Sequence, residues 1–170
     1  MIFIKSKASN NADICIINNH KTMQEVNTSA PIYCQKSILI NAKPEKVWSV
    51  LTDIDDWPQW LSMVSYAKLN GPLQANTTFD WKASGMKIHS KLHTVQPNSA
   101  IGWTGKVLGI HAIHNWTFQQ KNEYTVVVVS ESMEGFLAKL FKKMMNKSIE
   151  KDMILSLELL KKACENHANA

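Results

Sequence analysis

The chain has 170 residues, a length that suits one domain and can bury a core without a disulfide or metal staple. Its net charge of +5 rests on 19 basic residues, all of them lysine. Without arginine there is no bidentate fork for guanine edges or phosphates, which argues against sequence-specific nucleic-acid recognition.

Lysine alone still permits weak attraction to an anionic membrane surface, although a solvated lysine surface is the plainer reading. No run of 18 apolar residues occurs, so no transmembrane helix is expected. The first residues lack the ordered regions of a signal peptide, and the expected location is the cytoplasm. Cys15, Cys34 and Cys164 are widely spaced and form no CxxC or Cys/His pattern, so they read as reduced structural thiols.

Residues 1–31 hold five asparagines (Asn10, Asn11, Asn18, Asn19 and Asn27) and show no clear periodicity. They read as a poorly ordered extension ended by Pro31. Residues 32–166 read as the folded domain and 167–170 as a tail.

A strand is predicted over 33–41, with Ile38 and Ile40 on one face. Pro44 suits the first turn of a following helix that carries Val47, Trp48 and Leu51. Asp53 is a candidate cap for a second short helix over 54–61, which Pro58 can shorten. Six more strands follow at 64–69, 77–83, 86–95, 100–107, 111–119 and 124–132. Short breakers such as Ser84-Gly85 and Pro97-Asn98 separate them, which favours antiparallel neighbours. After Gly135, residues 136–165 contain no proline or glycine and predict one long helix. Its inward stripe would be Phe141, Met145, Ile149, Met153, Ser156, Leu160 and Ala163.

Strand alternation assigns faces. In 86–94 the set Met86, Ile88, Ser90, Leu92 and Thr94 opposes Lys87, His89, Lys91 and His93, and the second set is polar enough to face water. His89 and His93 sit two apart, but no carboxylate or cysteine accompanies them locally, so no metal site is expected. In 110–118 the set Ile110, Ala112, His114, Trp116 and Phe118 is apolar except for His114. A histidine among aromatics needs a partner, so His114 is a core residue tied to a neighbour, a donor to a ligand, or an acid/base.

Trp81 and Trp103 share faces with Phe79 and Ile101, and with Trp116 they could line one concave surface. Such flat side chains suit an aromatic or isoprenoid molecule and equally suit plain core packing. The candidate ligand-binding set is Trp60, Trp81, Met86, Ile88, Trp103, His114 and Trp116 from the first elements and the sheet. Met145, Ile149 and Met153 complete it from the last helix, where methionine gives a soft lining. Asp152 lies beside that stripe, where it could anchor a ligand hydroxyl, pair with His114 or sit at the solvent boundary. No phosphate loop, nucleophile elbow or inward carboxylate pair stands out, no cofactor is expected, and His114 is the one candidate catalytic residue.

Residues 40–48, Ile-Asn-Ala-Lys-Pro-Glu-Lys-Val-Trp, together with this element order, resemble the opening of the START-like (SRPBCC) superfamily in its polyketide cyclase/dehydrase branch. Asp-Ile-Asp-Asp-Trp-Pro-Gln-Trp at 53–60 is similar to the segment before the family's second strand, and 131–137 resemble its junction into the final helix. The resemblance implies an α+β helix-grip fold: a seven-stranded curved antiparallel sheet around a long C-terminal helix, with a cavity between them. It implies little about reaction, since the superfamily includes lipid carriers, coenzyme Q binders, cyclases, hydratases and co-chaperone domains. Binding or transport of a small hydrophobic ligand (lipid, isoprenoid/quinone or polyketide-like) is therefore expected first. A cyclase/dehydratase using His114 and a protein- or membrane-interaction module are the alternatives, and the oligomeric state is left open.

Overall fold

The computed structural model describes residues 23–165. Strands β1 (Ile32–Ile40), β2 (Val64–Leu69), β3 (Thr78–Ala83), β4 (Met86–Gln96), β5 (Ala100–Val107), β6 (Ile110–Lys121) and β7 (Tyr124–Glu134) form one sheet. All pairs are antiparallel, in the order β1-β7-β6-β5-β4-β3-β2. The first strand thus joins the last, and the chain between them meanders outward. Helices α1 (Pro44–Thr52) and α2 (Trp57–Trp60) lie between β1 and β2, and α3 (Phe136–Leu140) and α4 (Lys142–Glu165) follow β7. The predicted α+β helix-grip architecture is borne out, and every predicted strand is present within two residues of its expected ends.

The structure departs from the expected elements at three places. The expected helix over 54–61 is a 3-10 turn at Ile54–Asp56 followed by the four-residue α2. Pro58 sits at its start, and Asp53 makes no side-chain cap hydrogen bond. The carboxylate of Asp55 instead accepts from Lys68 Nζ and from the Leu69 backbone N–H, tying the turn to β2. The long final helix is broken at Phe141, whose backbone leaves helical geometry (φ −102°, ψ 20°). The stripe buried beneath α4 is Ile149, Met153, Ser156, Leu157, Leu160 and Cys164; Phe141 is exposed and Ala163 half-buried.

The third departure is a β-bulge. Leu92 opposes Trp103 but Thr94 opposes Gly102, so the register slips at His93. Gly102 in turn opposes Asn115, on the side of the sheet away from Trp103 and His114. The bulge therefore moves Thr94 off the inner face, where simple alternation puts it, and Val95 opposite Ile101 takes over. His93, expected to face water, is half-buried against Gly102.

Residues 24–27 lie along this outer face, and the segment then reaches α4 at Pro31. Asn115 Nδ2 donates to Gln24 O, the Asn27 N–H donates to Ser132 Oγ, and Asn146 Nδ2 of α4 donates to Pro31 O. Residues 1–22 and 166–170, including Cys15, lie outside the described residues.

Candidate functional site on the inner face of the sheet

Antiparallel register builds the site one row at a time. Cys34 of β1 opposes Glu131 of β7, Glu131 opposes His114 of β6, and His114 opposes Trp103 of β5. Side chains directly opposite on one face lie close enough to interact. His114 Nδ1 is 2.7 Å from Glu131 Oε2, and both side chains are largely buried. The His114 ring stacks on Trp103, and the Trp116 ring lies 5.8 Å from it between centroids.

With the Glu131 carboxylate accepting, Nδ1 carries the hydrogen, and in the neutral imidazole Nε2 then holds a lone pair. That Nε2 atom is buried and has no hydrogen-bond partner, and the same holds for Trp116 Nε1. The inner face thus presents one unmatched acceptor and one unmatched donor on neighbouring rings. Asp152 does not pair with His114. Ser148 is its hydrogen-bond partner, and desolvation is the main influence raising its carboxyl above the ordinary range, although the residue keeps contact with solvent. Burial likewise raises the Cys34 thiol, against the pull of Lys36.

The tryptophans converge, with one addition. Trp57 is fully buried and donates through Nε1 to Leu51 O. Its ring meets Phe79, Trp81 and Trp103 at 5.6, 5.7 and 5.6 Å. It fills part of the hollow that the sequence reading leaves to a ligand. Trp81 is half-buried and donates to Ser90 Oγ at 3.0 Å.

The other candidates distribute unevenly. Ile149 and Met153 are core residues, and Met145 packs at the core's edge. Ile88 is half-buried and Met86 exposed at the rim. Trp60 lies apart from the row, in an open groove of about 580 Å³ with Lys46, Asp53, Asp56 and Lys162 between α1, α2 and the end of α4. Its Nε1 is also buried without a partner.

Glu131 is the candidate site residue that the sequence analysis did not single out. Its signal is present: Thr125, Val127, Val129 and Glu131 alternate along β7, so a carboxylate falls on an apolar face. His89 pairs with Asp80 at 2.6 Å on the exposed side. Among the described residues no three His, Cys, Asp or Glu side chains gather to hold a metal ion, and no helix is long and apolar enough to cross a membrane.

The sequence pattern described as "Polyketide cyclase / dehydrase and lipid transport" matches residues 32–165. The chain belongs to this family. No curated protein matches the sequence. Among solved structures, a hypothetical protein from Helicobacter pylori superposes with a TM-score of 0.71 at 15% identity, over 82% of this chain and 95% of that one. The Zhui aromatase/cyclase from a Streptomyces species superposes with a TM-score of 0.68 at 12% identity, over 81% of this chain and 96% of that one. A START superfamily protein from Mycobacterium smegmatis gives 0.57 at 14% identity, over 79% and 95%. The likeness is one of fold. The resemblance read from 40–48, 53–60 and 131–137 is borne out by the family assignment.

Proposed function

We propose that the chain binds a small hydrophobic molecule on the inner face of its sheet and anchors it at one polar point, the His114–Glu131 pair. The observation that carries this reading is the pair of buried, unmatched atoms, His114 Nε2 and Trp116 Nε1. A buried polar atom without a partner costs free energy that a ligand can return. A hydroxyl fits both atoms, since it gives a hydrogen to Nε2 and takes one from the indole N–H. The half-buried Ile88, Ala112 and Met133 beside them would hold an apolar body, and the indole faces suit flat rings. A lipid, a quinol-like isoprenoid or a polyketide-like phenol all meet this description.

Native mass spectrometry of protein purified from its source is the first test. A retained apolar molecule is expected. Titration with a hydroxylated aromatic probe, followed by tryptophan fluorescence, should show weaker binding in His114→Ala and Trp116→Phe. A chain always empty, with probe affinity untouched by both variants, would overturn the reading.

A second reading is favoured by the 2.7 Å contact itself. A carboxylate that orients an imidazole leaves the far nitrogen free to move protons, the arrangement of a general acid/base. As a cyclase/dehydratase, the chain would turn over a polyketide-like substrate and lose that turnover, but not binding, in Glu131→Gln. Unchanged turnover in both Glu131→Gln and His114→Ala would remove this second reading.

A further inference from the structure

At one end of the sheet the β5–β6 turn meets the β7–α3 junction. A Cβ added to Gly135 would lie 2.3 Å from Gly109 O, so the two backbones touch. Four large apolar side chains are exposed around this contact: Leu108 (73%), Phe136 (76%), Leu140 (61%) and Met144 (65%). Leu108 sits at the tip of its turn in left-handed backbone geometry (φ 48°), which costs a leucine more than the usual Asn or Gly. Nothing in the folding of the sheet requires an apolar residue at that tip.

Lysines are interleaved with these residues along the chain: Lys139 lies in α3 with Phe136 and Leu140, and Lys142, Lys143 and Lys147 lie in the first turns of α4 with Met144. From Gly135 to Ile149 the chain carries four lysines and no acidic residue. The acidic residues that bound the stretch are engaged elsewhere. Glu134 accepts from Asn27 Nδ2 and Glu150 from Lys36 Nζ. Toward this end of the inner face the β4 side is the least covered: Met86 is exposed and Ile88 and Ala112 are half-buried, while Ile110 beside the turn and Ile101, Trp116 and Phe118 farther in are buried.

We propose that this end docks on an anionic lipid bilayer, with the lysines on the headgroups and Leu108, Phe136, Leu140 and Met144 inserted among them. Protruding apolar side chains interleaved with uncompensated lysine are the chemistry of an interfacial anchor. Docked in this way, the chain turns the least covered part of its inner face toward the membrane, from which an apolar molecule can enter without crossing water. The docking stands apart from the ligand reading: either can fail while the other holds.

Co-sedimentation of the full chain with vesicles tests it. At low salt the chain should pellet with phosphatidylcholine vesicles that contain phosphatidylglycerol and stay in solution with phosphatidylcholine alone. Salt at about 1 M should weaken binding, since screening then acts within about 3 Å. The triple variant K139Q/K142Q/K143Q should partition on the order of 100-fold less, at about a factor of five per lysine. The variant L108S/F136S keeps every lysine and should also bind more weakly. All five side chains are exposed, so an unchanged melting curve confirms intact folding. Absence of pelleting with anionic vesicles at low salt would overturn the proposal, as would pelleting that survives both variants. So would a dimer in sedimentation velocity that both variants dissociate, which would assign the surface to a second copy of the chain.

Discussion

The imidazole of His114 lies flat on the indole of Trp103, with centroids 4.6 Å apart and planes 13° from parallel, because the two residues oppose one another across β5 and β6. Glu131 holds the ring in that plane from the other neighbouring strand. Stack and hydrogen bond therefore act on one side chain. Glu131→Ala and His114→Ala each leave a largely buried polar partner unsatisfied, and each should cost about 1–3 kcal/mol. Their double variant should cost less than the sum by about 0.5–3 kcal/mol. Urea unfolding of the four proteins checks this; additive losses would mean that the pair is not coupled.

Trp57 is the keystone of the aromatic cluster, touching rings from both β3 and β5. Trp57→Ala should destabilise by about 3–5 kcal/mol. Trp57→Phe should cost less, retaining ring contacts while losing the hydrogen bond to Leu51 O. Thermal melts of both variants measure the difference. Equal losses would mean that the hydrogen bond, not the ring, carries the effect.

Gly102 permits the outer-face packing of His93 and Asn115. An added Cβ would stand 2.4 Å from both Asn115 Oδ1 and His93 Cε1. Gly102→Ala should cost about 1–3 kcal/mol in urea unfolding, with faster amide exchange in residues 23–27 as Asn115 is pushed away from Gln24 O.

The Cys164 thiol is pushed up to about 12, by burial first, with Glu165 adding and Lys46 opposing. At pH 8 only about one such thiol in ten thousand is thiolate. Iodoacetamide at that pH should leave Cys164 unmodified in the folded chain and modify it in urea, read by peptide mass. Because the folded value is raised, the linked stability is complete below the unfolded thiol's value of about 8.5 and falls as pH rises toward 12. Cys164→Ala should flatten that alkaline decline.

Period-two and helical patterns made the strands legible, since each strand buries one face and its turns carry Gly, Pro or Asn. His114 was legible for the same reason, as a polar residue on an apolar face. Glu131 was equally readable from β7, but its pairing with His114 needs the register between two strands, which periodicity does not contain. The packing of Trp57 against Phe79, Trp81 and Trp103 was not legible, because a four-residue helix has too few turns to show a face. Thr94 was misassigned because a bulge inserts one residue that no local signal at His93 announces. The break at Phe141 lies within a run of good helix formers and leaves no Gly or Pro to mark it.

The final helix also closes an edge. β1 borders the sheet on one side, and α4 reaches over its backbone: Lys161 Nζ donates to Leu39 O at 3.0 Å, and Glu165 accepts from the Asn41 N–H at 2.7 Å. These contacts occupy groups that an incoming strand would otherwise seek. Loss of the last helical turn would therefore do more than loosen the core. It would uncover a ready-made template for β-pairing, so fraying at the C-terminal end of α4 is a route to self-association as well as to unfolding.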